Sequence, residues 1–391
     1  MKQDERYIWL DLVRGLSAIL VCAGHLRAVA LVDYAELTAP TLFQKLLYGL
    51  TGLGHEAVMV FFVLSGMFVG GSVLKAGDRF SWAAYGTTRL TRLWGVLLPA
   101  LVLTYLIDSY TLSAHPEVAQ GEYAPLWTSG PRTDGSYSTS LVTFLGNLGF
   151  VQTIGVPTFG TNSPLWSLAN EFWYYVLFPL GTLLLGISGK PAGLGRRLLA
   201  GGAIAALAYG LPRGIWLGYL IWLLGVLVYR IQPRFSTRRR WIALLVTLGL
   251  FGASLGYSKS LRLQEGLGVS SDLVVGLAFA TLCLVLAKWP RPRIPILGPA
   301  LEKIAIAAAD LSYSLYTIHF PVVLLIATHF YLPQKCFPDL PAVLQYLGFL
   351  SLLLGIGAAF WYLCERHTPR IRRALIGKRL SVSGRAVGPT S

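Results

Sequence analysis

The chain has 391 residues, of which 54% are hydrophobic and only 13% charged, against roughly 25% charged in soluble domains. A mean hydropathy of +0.58 excludes disordered and collagen-like chains and converts a length suited to two or three soluble domains into one large membrane domain. The net charge of +15 admits a nucleic-acid partner, but the bases sit in short clusters between apolar runs, the pattern of membrane topology, and four cysteines make no disulfide framework.

The chain opens MKQDERYIWLDLVRGLSAILVCAGHLRAVA. Early charge, an apolar stretch and Ala28-Val29-Ala30 mimic a secretory signal. The first residues are mixed in sign, however, and Arg14 interrupts the apolar run, so the segment reads as a retained first span. A crossing needs about 20 mostly apolar residues. Candidates fall at 7–30, 46–72, 93–113, 164–187, 198–212, 214–230, 241–257, 271–288, 304–330 and 342–364. The two within 198–230 are short and divided only by Gly210, Leu211, Pro212 and Arg213. The run 139–157 is too polar and Gly-rich for a span and reads as a re-entrant or interfacial helix. The loop around 114–163 is rich in Pro, Gly, Ser and Thr, and loops of that length often cover a site. The predicted fold is all-α: a polytopic integral membrane bundle of about ten transmembrane helices. A membrane domain of 1–365 is followed by a basic tail, 366–391, expected to be disordered.

Alternating the ten segments places Arg27, Lys45, Arg132, Arg213, Lys259, Arg262 and Lys335 on one side. Nearly all other bases fall on the side of both termini. That asymmetry is the positive-inside signal. It predicts cytoplasmic termini, a multi-pass protein of the inner, cytoplasmic membrane in contact with its lipids, and no nucleic-acid partner. The 114–163 loop then lies outside.

Ionisable residues within spans are costly and default to functional candidates. Arg14 and His25 are eleven apart, about 20° on a helical wheel and about 16 Å along the axis. Asp11 lies within pairing reach of Arg14. Ala18 and Cys22 fill the stripe between them and would leave a groove for a thin ligand. Arg89 and Arg92, in TTRLTRLW, share a helix face at the membrane boundary. They read either as ordinary positive-inside charge or as a phosphate clamp. In NSPLWSLANEFWYYVLFP, Glu171 sits one turn inside an apolar helix, and Ser167 at i−4 is expected to hydrogen-bond it. In DLSYSLYTIHFPVV, Tyr313, Tyr316 and His319 precede Pro321 inside apolar sequence and suggest a polar cavity. His55 and Glu56 stand near the outer surface.

Five segments, LDLVRGLSAILVCAGH, VFFVLSG, RLTR, PLWSLANEFWYYVLFP and SYSLYTIHFP, together resemble the acyltransferase-3 family of multispanning membrane acyltransferases, mostly bacterial O-acetyltransferases of surface glycans. The resemblance runs over about residues 7–365. It implies an acyl-CoA donor, acetyl-CoA first, and a hydroxyl acceptor such as a glycan, lipid-linked sugar or related molecule, with no metal. By position, Arg14 and His25 match the family's essential pair, Arg89 and Arg92 its R-x-x-R, and Glu171 its acidic position. His319 falls in a segment of unsettled role, and the apolar family sequence before FFVLSG gives His55 and Glu56 no support.

The expected arrangement has Arg14, Arg89 and Arg92 holding acyl-CoA phosphates at the inner face. The pantetheine arm lies along Ala18 and Cys22, and His25 acts as general base, its imidazole titrating near neutrality. An acyl-His25 relay is the competing variant. Glu171 orients His25 or helps bind the acceptor. Asp11, Ser167, Tyr313, Tyr316 and His319 are candidates for the acceptor or its cavity. The alternative classes are a transporter or flippase of a lipid-linked sugar and a non-catalytic membrane partner.

Overall fold

A computed structural model describes residues 6–375 except 126, 128–129, 135–136, 188–192, 232, 234, 266–268, 293–294 and 296. Residues 376–391, most of the tail expected to be disordered, lie outside the described residues. The tail's first part, 368–375, is helical, which corrects that expectation for this stretch: Thr368 is held by the Glu365 carbonyl and tucks against Gly95.

In chain order the helices are α1 (Ile8–Ala30), α2 (Leu42–Thr51), α3 (Gly54–Ser65), α4 (Gly71–Ala76), α5 (Trp82–Ala114), α6 (Pro116–Ala119), α7 (Leu141–Leu148), α8 (Trp166–Leu185), α9 (Leu194–Gly210), α10 (Arg213–Arg230), α11 (Thr237–Glu265), α12 (Val269–Leu286), α13 (Leu297–Phe330) and α14 (Leu340–Leu363). Among the described residues there is no strand beyond two isolated bridges. Among the described residues, seven helical stretches are long and apolar enough to cross a membrane: 8–30, 42–79, 82–114, 213–230, 237–261, 297–330 and 340–375. The other three predicted segments, in α8, α9 and α12, are helical but fall short by that measure. In α8 the polar residues Ser167, Asn170 and Glu171 lower the hydropathy.

The span predicted at 46–72 falls within 42–79 but is not one continuous helix. Thr41 and Gln44 form a reciprocal capping box that founds the separate helix α2, and the chain breaks at Gly52 and Leu53 before α3. A π-turn at Gly66–Gly70 then joins α3 to α4. Within 139–157, α7 runs for only eight residues, about 12 Å, too short to cross.

α13 is the axis of the bundle, with Ser314–Leu324 buried without a break. α1 lies along it. Arg14 donates to the Ala309 carbonyl at 3.1 Å, and His25 meets His319 at 2.8 Å. The sequence offsets, 295 and 294, are nearly equal, so the two helices run parallel. Gly15 permits this closeness: a Cβ there would stand 3.1 Å from the Ala308 Cα and nearer still to its side chain. Without a hydrophobic drive between helices in lipid, such small-residue contacts let dispersion hold the pair.

The groove expected along Ala18 and Cys22 is therefore absent. Both residues are fully buried and pack on Leu315, with Leu311 alongside. Small residues on α1 admit a neighbouring helix, not a ligand. Gly66 and Gly225 make a similar close crossing between the π-turn and α10.

Prolines inside helices leave carbonyls that polar side chains take up. Pro321 has no N–H for Thr317, and the Thr317 carbonyl accepts from Asn162 at 2.8 Å. Pro179 likewise frees the Tyr175 carbonyl, which accepts from Tyr85 at 3.1 Å. In an apolar setting such rescue is what makes helix proline tolerable, and here it docks the loop before α8 onto α13. Arg6 pairs with Asp310 at 3.0 Å and Glu365 accepts from Ser314 at 2.7 Å. The first and last described segments thus meet at one end of the bundle. The loop 114–163 lies at the other.

Candidate active site

His25 and His319 lie edge to edge, with rings 9° from parallel and His25 Nδ1 2.8 Å from His319 Nε2. His319 Nδ1 stands 2.7 Å from the Tyr316 carbonyl. A carbonyl oxygen only accepts, so His319 Nδ1 carries the proton and, in the neutral ring, Nε2 is the acceptor. His25 Nδ1 must then be the donor, which leaves His25 Nε2 bare. This tautomer assignment is inferred from partners, with both rings neutral because charging either in so buried a pair is costly. Phe320 packs its edge on His25 at 5.0 Å between centroids, and fixes the ring further.

His25 borders a cavity of about 890 Å³. Its walls come from α1 (Val21, Gly24, Ala28), α3 (His55, Val58, Met59), α8 (Trp166, Asn170), α10 and α12. Gly130, Arg132, Thr153 and Ser163 of the long loop also line it, so the loop covers the site. The loop is anchored by Asp108, which accepts from the Thr161 amide at 2.8 Å and hydroxyl at 2.7 Å. Asn162 bonds Thr104 at 3.1 Å. On the cavity floor the Tyr316 hydroxyl meets Ser167 at 2.5 Å and donates to the Pro164 carbonyl at 2.9 Å.

A second set of charges gathers toward the end where the first and last described residues meet. Arg14 pairs with Asp11 at 3.5 Å and also senses the charges of Arg92, Asp310 and Glu365. Arg92 senses Glu365 and Glu171. Glu171 accepts from Tyr175 at 2.7 Å. Arg89 lies over Tyr85 and Tyr175 and reaches Ser72 at 3.3 Å. Tyr313, one turn below Tyr316, donates to the Leu93 carbonyl at 3.2 Å.

The predicted residues therefore fall into two groups. His25, His319, Tyr316 and Ser167 meet at the cavity floor. Asp11, Arg14, Arg92, Glu171 and Tyr313 lie in the charged cluster, with Arg89 at its edge. Two expectations are corrected. Glu171 does not orient His25, since His319 holds that ring and Glu171 is engaged with Tyr175. Ser167 does not bond Glu171, because its hydroxyl is taken by Tyr316 and the Pro164 carbonyl. The sequence reading also missed Asp108, Glu365, Asn162 and Asn170. His55, left without a role by the family resemblance, pairs with Asp272 at 2.9 Å, and both line the cavity. The signal for Asn162 and Asn170 was present: polar residues flanking a proline-bearing apolar helix.

Seven helical stretches among the described residues fit to cross a membrane, with two paired imidazoles beside a cavity, define a polytopic membrane protein with ionisable groups in its interior. Residues 7–363 match the acyltransferase-3 family (Acyl_transf_3), described as an acyltransferase domain. The chain belongs to this family of membrane acyltransferases. No curated protein and no solved structure matches it.

Proposed function

We propose that the protein moves an acyl group, acetyl first, from cytoplasmic acyl-CoA to a hydroxyl of a surface or lipid-linked glycan or related acceptor. The supporting observation is His25 Nε2, bare and held at the cavity floor. In this reading His25 Nε2 takes the acceptor hydroxyl's proton as that oxygen attacks the thioester carbonyl. The tetrahedral intermediate collapses, the C–S bond breaks, and the proton passes from His25 to the departing CoA thiolate. His319 is a positioning residue that keeps His25 in the productive tautomer.

The same reading keeps both termini cytoplasmic, with ten crossings and the covered cavity facing outward. Arg14, Arg89 and Arg92 hold the donor's phosphates, Arg forks being suited to phosphate oxygens. Glu171 and Glu365 balance those bases when the donor is absent. Because α13 fills the stripe beside Ala18, the donor's arm follows the seam between α8 and α13, past Tyr313, and parts Ser167 from Tyr316 at the floor.

His25→Ala in proteoliposomes is expected to lower transfer from labelled acetyl-CoA about 10³-fold while insertion and folding persist; undiminished transfer would refute the base assignment. Label retained on acid-quenched protein would favour an acyl-His25 intermediate. Acceptor movement across liposomes without any CoA requirement would favour a transporter. Mass spectrometry of the surface glycan with and without the protein would identify the acceptor.

A further inference from the structure

The outer part of the cavity carries charge that acyl transfer does not itself require. Arg27 and Arg132 both line it. Arg27 flanks the stripe of Val21, Gly24 and Ala28, on the opposite side from His25. Its guanidinium lies 4.9 Å from the centre of the Tyr48 ring, and its Nε is buried without a hydrogen-bond partner. Arg132 is exposed on the covering loop. Lys259 stands behind them: its Nζ donates to the Tyr48 carbonyl at 2.8 Å, beside Gly52 of the lining, and it senses the charge of Arg27.

None of these three bases forms an ion pair among the described residues. The acids flanking Arg27 and Lys259 are engaged elsewhere. Asp272 is bound to His55, Asp33 to Lys335 at 3.4 Å, and Glu36 caps its own turn through the Asp33 amide. Glu56 is 1% exposed and outside the lining. Arg27 and Lys259, whose like charges interact, repel unless a counter-charge arrives, and Arg132 lines the same cavity. The sequence sharpens this, since Arg27, Arg132 and Lys259 are three of only seven bases assigned to that side. Helix-end electrostatics accounts for Arg27 in the last turn of α1, and a carbonyl contact accounts for Lys259. Neither accounts for Arg132.

We propose that Arg27 and Arg132, backed by Lys259, form an oxyanion subsite for the acceptor, so that the hydroxyl reaching His25 belongs to a saccharide bearing a carboxylate or a phosphate. Two guanidiniums suit either group through paired N–H donors. A cavity of this volume holds a molecule of a few sugar rings. The identity of the bound molecule as acceptor rests on the acyltransferase reading; the anion preference does not.

The test uses the full chain in nanodiscs of zwitterionic phosphatidylcholine, with His25→Ala to prevent turnover. Calorimetry compares three probes: a glucuronic-acid trisaccharide, its neutral glucose counterpart, and a glycosyl phosphate. At least one anionic probe should bind about tenfold or more tighter than the neutral one. Arg132→Gln, an exposed loop change that leaves the bundle intact, should remove about tenfold of that preference, the worth of a charge-assisted hydrogen bond, and leave neutral binding unchanged. A carboxylate preference identifies a uronic-acid acceptor, and a phosphate preference a lipid-linked or phosphorylated one. Equal binding of neutral and anionic probes, no measurable binding of any probe, or insensitivity to Arg132→Gln would overturn the subsite. So would displacement of the anionic probe by coenzyme A, which would put the donor there. If the preferred probe binds but the His25 protein never acylates it from acetyl-CoA, the acyltransferase reading fails while the subsite stands.

Discussion

At the end where the first and last described residues meet, Asp11 pairs with Arg14 and Arg6 with Asp310, while Glu365 accepts from Ser314 and Glu171 from Tyr175. At the opposite end, Arg27 and Arg132 face a cavity of about 890 Å³ and form no ion pair among the described residues. His25 sits between the two, on the cavity side of the Ser167–Tyr316 contact. A closed, internally balanced cluster and an open, unbalanced one suit different ligand states. In the proposed reading, the first keeps its bases satisfied until the donor's phosphates displace their partners. The second presents its bases to whatever enters from outside.

The comparison is broken most severely by removing the link between the ends. His319→Ala should cut transfer about 10²-fold, because His25 Nδ1 loses the acceptor that fixes its tautomer. His319→Gln offers an amide oxygen in the same place and should recover much of that loss; equal loss in both variants would reduce His319 to packing. Next in size, Arg89→Gln with Arg92→Gln should raise the KM for acetyl-CoA about tenfold or more, each lost charge-assisted contact being worth about 1.5–3 kcal/mol, with little change in acceptor KM. An effect on acceptor KM alone would place the donor at the other end.

The smallest effect on catalysis is expected from Ala18→Leu. If α13 fills that stripe, the extra carbons overpack against Leu315 and cost about 1–3 kcal/mol of stability, seen as a lower melting temperature in detergent with acetyl-CoA affinity retained. Loss of acetyl-CoA binding at unchanged stability would restore the groove that the structure fills.

The sequence showed the helices well because hydropathy over about 20 residues is a local quantity. It also showed which polar residues were anomalous, since an imidazole or guanidinium in apolar sequence stands out. It did not show their pairing. His25 and His319 are 294 residues apart, and only the Gly15–Ala308 contact and the parallel run of α1 and α13 bring them together. Ala18 and Cys22 were misread because a small residue leaves room equally for a ligand or a helix. Glu365 was hidden at the edge of a basic tail, and Arg27 and Arg132 looked like ordinary loop and helix-end charge until the cavity joined them. Asp108 is placed by Thr161, a partner 53 residues away, which no local pattern announces.

In the proposed mechanism, His319 leaves His25 with its outer nitrogen bare. Nitrogen-15 NMR of histidine-labelled protein in nanodiscs, with His25 assigned by its loss in His25→Gln, measures this directly. The expected result is a neutral His25 protonated at Nδ1, with an unprotonated Nε2 that shifts when acceptor is added. A resting His25 carrying its proton on Nε2 would contradict it.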